Sequence, residues 1–466
     1  MIILRLNHFK TNFSFSNIKY LSQMSSNNVA AVCQFTATSD KEQNLKVVTR
    51  LVSEASEKAK VIFLPEACDY VGTNVDETKE LAETLDGRLM SEYKLLAQRH
   101  KVWISLGGFH EVRQSNGKET LHNAHVLIGA DGTVKSVYRK VHLFDVNLPE
   151  SNVNLQESSY TTAGTEIVAP VDTPIGSVGL AICYDLRFPE LSVILRKRGA
   201  DILTFPSAFT VATGEAHWKT LLKSRAVENQ CYVIAAAQYG VHNSKRISFG
   251  NALIVDPWGE IIAECPSYSK DRDTNESIVY ASIDSDFLKG VRRKMPVFEH
   301  RRSDLYSLTL NGGEQADLVT NYMFGDKVIP PSTVFYRTRH CFAFTNIRCV
   351  VPGHVLIASL RPVRRLENLQ AEEIADLFQT VVKIQKLVEK AYGSHSSTIC
   401  IQDGPDAGQT IQHVHCHILP RKAGDFKQND DIYLELAKHD RDDEKPIRGV
   451  EEMTIEADML RGCIVR

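Results

Sequence analysis

Cys183 follows the apolar run Val178–Ile182, Glu66 follows Val61–Pro65, and Lys140 follows Val137–Arg139. A thiol, a carboxylate and an ammonium suffice to hydrolyse an amide without a metal. The thiolate attacks the carbonyl, and the carboxylate takes the thiol proton and passes it to the leaving ammonia. The ammonium steadies the oxyanion, and its charge also predicts a lowered thiol pKa. Singly, each residue reads more simply as a core cysteine or a solvated rim charge. A second reactive run lies far downstream. In Gln412–Leu419, imidazole alternates with apolar side chains at His413, His415 and His417, and the period of two of a strand predicts all three on one face. Such a face can bind a metal or supply a nucleophilic imidazole, and spacing alone leaves both open.

The elements that must place these groups can be read from apolar periodicity. Val29–Phe35 and Val61–Leu64 read as strands flanking a helix over Glu42–Lys58, and Ser91–His100 as a helix before a Trp103–Phe109 strand. Ala124–Gly129 and Thr133–Tyr138, joined by Ala-Asp-Gly, predict a hairpin. Leu143–Gly164 is polar and irregular and predicts a long functional loop. Strands over Gly176–Ile182, Ala200–Pro206, Tyr232–Gln238 and Gly250–Val255 alternate with helices near Glu190–Arg198 and Ala216–Asn229, which predicts an α/β layer architecture. After a polar, Gly-containing connection, Ala371–Tyr392 carries Ile374, Leu377, Phe378, Val381, Ile384, Leu387 and Val388 at helical spacing. Strands at Cys341–Asn346, Val355–Ser359, Ser397–Gln402 and Gln412–Leu419 flank that helix, so this second region reads as α+β.

Composition limits the partners. The chain has 466 residues, 43% hydrophobic and 24% charged, with a net charge of −3. That balance supports folded domains and lacks the basic excess that nucleic-acid binding requires. No run of eighteen apolar residues occurs, so no membrane span is expected. Ten cysteines, none in a C-x-x-C pair, fit reduced thiols in a cytoplasmic setting. Residues 1–28 lack Asp and Glu and carry Arg5, Lys10 and Lys19 among Ser and Asn, the composition of a mitochondrial transit peptide, with Met24 as an alternative start.

The segments Phe63–Glu66, Tyr138–Leu143 and Ile182–Glu190 resemble the three signatures of the nitrilase superfamily. Gly214–Trp218, Arg225–Asn229 and Arg301–Tyr306 extend the resemblance. It implies an αββα sandwich over residues 29–310, carbon–nitrogen hydrolysis by Glu66, Lys140 and Cys183, and no cofactor. Glu157 matches a further glutamate that helps position substrate and Lys140. Similarity is greatest to the Nit branch, which implies a small carboxylate-bearing amide of the deaminated-glutathione type.

Gln412–Leu419, with Asp403–Thr410 and Val351–Val355, resembles the histidine triad family and its Fhit branch. The match runs over about residues 324–440 and weakens in the last twenty residues, within a domain assigned to 324–466 that begins after a linker at 311–323. It implies cleavage of diadenosine triphosphate to AMP and ADP through a nucleotidyl-histidine on His415, with magnesium or manganese accompanying the nucleotide rather than caged by protein. His413, His417 and His354 would orient the nucleophile and neutralise phosphate oxygens; Gln409 would bridge phosphates and Asn346 would contact ribose. The expectation is a bifunctional hydrolase with small-molecule substrates. Both families favour paired subunits, which predicts a homotetramer. The competing expectation is a nucleotide-bound signalling protein on an oligomeric scaffold with a weak or inactive amidase.

Overall fold

The computed structural model describes residues 28–115, 117–148, 153–271, 276–302, 305, 308, 321–439 and 447–464. The expected leader and most of the expected linker lie outside these residues. The chain divides into two compact units between Arg301 and Arg302, each described here by itself. Among the described residues, no helix is long and apolar enough to cross a membrane.

The N-terminal unit is a four-layer αββα sandwich. One sheet runs in the order Arg246–Phe249, Ala237–Asn243, Val29–Phe35, Val61–Phe63, Trp103–Ser115, Lys118–Ile128 and Val134–Arg139, with Ser277–Ser282 also on Val29–Phe35. The other runs Ile261–Glu264, Leu253–Val255, Tyr232–Ala235, Ile202–Thr204, Gly176–Leu180 and Val171–Thr173. Strand alternation divides the apolar residues between two cores. Ala30, Val32, Val61 and Phe63 join the core between the sheets, while Ala31, Cys33, Ile62 and Leu64 face the helices Lys41–Ser56 and Arg88–His100. Both faces of the first sheet are therefore buried, which is why its central strands are apolar throughout.

Two sequence expectations change here. Leu143–Gly164 is not wholly irregular, since Asp145–Leu148 pairs antiparallel with Val153–Gln156 ahead of Glu157. The apolar run Tyr232–Gln238 is not one strand: Tyr232–Ala235 belongs to one sheet, and Ala237–Asn243 crosses to the other. Burial on both sides of that run removes the alternation that would mark a crossing.

Close backbone approach places the end of the Val61–Phe63 strand. The paired strands Trp103–Ser115 and Lys118–Ile128 shift register between Leu106 and Phe109, at Gly107-Gly108. A Cβ on Gly108 would lie 2.8 Å from Ala67 N and 3.0 Å from the Glu66 Cα. A Cβ on Gly107 would strike the Leu64 carbonyl and the Pro206 ring. These glycines let the strand pass directly beneath Glu66.

The C-terminal unit is a five-stranded antiparallel sheet in the order Val334–Arg337, Cys341–Thr345, Val355–Ser359, His415–Arg421 and Ser396–Cys400. Leu377, Val381, Ile384 and Val388 of the Ala371–Tyr392 helix cover one face, joined by Ala457 and Leu460 of Val450–Ile464. Each such buried aliphatic side chain contributes about 1.5–3 kcal/mol, so this stripe holds the helix in place. Ile374 and Phe378, expected in the same stripe, stay exposed because the contact is narrower than the helix's apolar face. Cys416 and Ile418 point to the helices, and His415 and His417 therefore project from the opposite face.

Substituting Gly107→Ala is expected to destabilise the N-terminal unit by about 1–3 kcal/mol through overpacking against rigid backbone. Calorimetry should show a lowered transition for that unit, with the C-terminal unit's transition unmoved.

Candidate active sites

In the N-terminal unit, four expected residues meet at strand ends. Lys140 Nζ donates to Glu66 Oε1 at 3.0 Å and to Glu157 Oε2 at 2.9 Å, with all three side chains nearly out of contact with solvent. The Cys183 thiol donates to Glu66. Asn123, which sequence reasoning passed over, offers its amide to Glu66 at 3.0 Å and to Glu157 at 3.3 Å, while the Phe144 N–H donates to Glu157 at 2.7 Å. No local pattern distinguishes Asn123 from any polar residue in a strand; its role is set by the partners that the sheet brings to it.

The charges decide the resting protonation. Burial works against the Lys140 ammonium, but Glu157 and Glu66 outweigh it and hold Lys140 well above the usual lysine range. Burial likewise favours a protonated Glu66, yet Lys140 and the bond from Cys183 prevail and keep its carboxyl below the ordinary glutamate value. Cys183 departs from expectation. Desolvation foremost, and then the Glu66 carboxylate, push the thiol up despite the opposing Lys140 charge. The balance thus favours a neutral thiol beside an ionised carboxylate.

Cys183 adopts φ +45, a left-handed conformation that costs a non-glycine residue about 1–3 kcal/mol. Asp185 holds this turn. Fully buried, it accepts from Tyr138 Oη at 2.8 Å, His142 Nδ1 at 2.7 Å and Ile182 N at 2.8 Å. Tyr138, Lys140 and His142 share one stretch of chain, so this carboxylate ties the lysine segment to the cysteine turn. The Cys183 N–H completes the brace by donating to Pro206 O at 2.9 Å.

In the C-terminal unit the hydrogen bonds assign the imidazole tautomers. His415 Nδ1 lies 2.6 Å from the His413 carbonyl and must donate to it, so Nδ1 carries a proton. His413 Nε2 donates to the Ser359 carbonyl at 2.7 Å. Val350 N–H donates to His354 Nδ1 at 3.3 Å, so His354 Nε2–H donates to His417 Nδ1 at 3.0 Å.

His413 is buried, held by desolvation below the ordinary histidine value, and its Nε2 proton is engaged by a backbone carbonyl. His354 is fully buried and bonds to the His417 ring. Asn346 is buried with its amide 3.3 Å from His354 and its side-chain carbonyl accepting from Arg348 N. Gln409 bonds to Arg364 O at 3.0 Å and reaches His413 O at 3.4 Å, the carbonyl that also receives His415. Among the described residues, no three His, Cys, Asp or Glu side chains are set to hold a metal ion.

The carbon-nitrogen hydrolase family pattern matches residues 29–293, and the HIT domain pattern residues 328–424. The nitrilase and fragile histidine triad fusion protein NitFhit of Drosophila melanogaster is 48% identical over 432 residues, 92% of this chain and 91% of that protein. The crystal structure of the C. elegans NitFhit protein superimposes with a TM-score of 0.83 at 44% identity, covering 94% of this chain and 98% of that one. The chain belongs to the NitFhit family. Its N-terminal part is also 48% identical over 280 residues to the human deaminated glutathione amidase, 60% of this chain and 83% of that protein. NitFhit membership makes the chain a fusion of a nitrilase-fold hydrolase unit with a HIT unit, each carrying a separate nucleophile candidate.

The charge balance around Cys183 has a signed consequence. Glu66→Gln removes the anion that raises the thiol and should speed alkylation of Cys183 by iodoacetamide at pH 7.5, whereas Lys140→Gln should slow it. Peptide mass spectrometry of timed samples reads both rates.

Proposed function

We propose that the N-terminal site hydrolyses a small carboxylate-bearing amide of the deaminated-glutathione type. The observation that carries this reading is the buried cluster of Lys140 between Glu66 and Glu157, with the Cys183 thiol on Glu66. Cys183 Sγ bonds to the amide carbon while Glu66 takes the thiol proton, and Lys140 donates to the oxyanion. The carbon–nitrogen bond then breaks as Glu66 returns the proton to departing ammonia. Water, deprotonated by Glu66, opens the thioester, releases the acid and restores the thiol. Similarity to the human deaminated glutathione amidase supports the substrate class.

For the C-terminal site, the reading is cleavage of diadenosine triphosphate to AMP and ADP. The hydrogen bond from His415 Nδ1 to the His413 carbonyl, which turns Nε2 away from the main chain as the attacking nitrogen, supports it. That nitrogen bonds to the α-phosphorus as the bridging phosphorus–oxygen bond breaks and ADP leaves; water then cleaves the phosphorus–nitrogen bond to give AMP. His417 Nε2–H offers a donor to the phosphate oxygens, and Gln409 holds the loop beside the His413 carbonyl. Magnesium or manganese enters as part of the polyphosphate substrate. A homotetramer is the assembly this reading carries, checked by sedimentation.

Ammonia release from a panel of small amides that includes deaminated glutathione, measured beside AMP release, separates the two sites. Cys183→Ala is expected to abolish ammonia release, and Glu66→Gln to lower it by about 10²–10⁴-fold, both leaving AMP release within twofold of the parent. His415→Asn should do the reverse. Ammonia release that survives Cys183→Ala, or no release from any amide tested, would overturn the amidase reading.

A further inference from the structure

Tyr322–Phe324 and Lys327–Ile329 pair antiparallel as a short hairpin around Gly325-Asp326, off the edge of the main sheet. It packs on the histidine face of the C-terminal unit. The buried Phe324 ring meets His415 edge-on, with centroids 4.9 Å apart and planes at 90°, and lies 5.7 Å from His413. Phe344 backs it at 5.2 Å. At the turn, Gly325 N–H donates to His413 Nδ1 at 3.0 Å. Gly325 has φ +61, and a Cβ there would sit 2.6 Å from the Ile411 side chain, so the turn is built for glycine.

A backbone amide only donates. His413 Nδ1 must therefore carry a lone pair, which places the proton of the neutral ring on Nε2, where the Ser359 carbonyl takes it. With both nitrogens engaged, the His413 ring is fixed between the hairpin and the main sheet. The same residue's carbonyl aims His415 by accepting its Nδ1–H. His415 is thus oriented from two sides: by the His413 carbonyl along its ring plane and by the Phe324 edge across it.

We propose that Gly325 and Phe324 are positioning residues for the His415 nucleophile, the hairpin amide locking the His413 tautomer and the phenyl edge fixing the His415 ring. The functional part of this proposal rests on the nucleotidyl-histidine reading above. Neither residue is asked to touch substrate. Loosening the hairpin should therefore slow chemistry and leave binding intact.

The test uses the full chain and its Phe324→Ala and Gly325→Ala variants, with Phe324→Leu as the conservative replacement. AMP release from diadenosine triphosphate gives kcat and KM. Nitrogen NMR of histidine-labelled protein, assigned with His413→Asn, gives the His413 tautomer. In the parent, His413 should show an unprotonated Nδ1 and a single tautomer. Phe324→Ala should show averaging of the two ring nitrogens and a kcat lower by about ten- to a hundredfold, with KM within twofold. Phe324→Leu should recover most of the kcat. Gly325→Ala should resemble Phe324→Ala, which serves if either variant fails to fold. A protonated Nδ1 in the parent, or a raised KM with kcat kept, would overturn the proposal. A parent chain that releases no AMP would sink the nucleotidyl reading alone, because unchanged His413 signals in both folded variants would still overturn the tautomer lock and averaged signals would still uphold it.

Discussion

Burial of the Lys140 ammonium between the Glu66 and Glu157 carboxylates is the constraint on which the N-terminal unit depends. Isolated charges out of water are costly, and the arrangement holds only because each group is paired and hydrogen-bonded, with Asn123 and the Phe144 amide adding donors to the carboxylate oxygens that Lys140 also contacts. Desolvation first and then the Glu66 carboxylate push the Cys183 thiol up against the opposing Lys140 charge. The glycine pair beneath Glu66 and the Asp185 brace beneath Cys183 serve the same cluster, since each fixes a backbone that carries one of its members.

The C-terminal unit meets a related need with main-chain hydrogen bonds. Its nucleophile candidate is an imidazole, and the requirement is a lone pair on the correct nitrogen. Backbone groups satisfy it, because a carbonyl can only accept and an amide can only donate. The His413 carbonyl thereby sets His415, the Ser359 carbonyl sets His413, and the Val350 amide sets His354 and through it His417. Proton positions are thus written into the main chain rather than into ion pairs. His413, His354 and Asn346, which appear in sequence as isolated polar groups, are each buried and bonded to neighbouring groups of this network.

Much of the fold is legible in the sequence where one face of an element is wet. The Val355–Ser359 strand and the Ala371–Tyr392 helix occur as periodicity predicts, and motif order alone leads to a nitrilase-type sandwich followed by a HIT unit. Legibility fails where burial is complete on both sides. The Tyr232–Gln238 run carries no mark of the crossing between sheets, and the Ile374 and Phe378 positions carry no mark that the helix contact stops short of them.

The sequence by itself determined which candidate nucleophiles the chain has, in what order and on which kinds of element, because reactive side chains at strand ends and period-two alternation are local properties. Tertiary structure alone decided their protonation. Whether Cys183 rests as thiol or thiolate depends on the balance between desolvation and charges contributed by Glu66 and Lys140, which lie 117 and 43 residues away in the chain. Which nitrogen of each histidine carries the proton depends on carbonyls and amides of other segments. Electrostatic and hydrogen-bond energies fall with distance in space, and spacing along a chain does not report that distance until the sheets have formed.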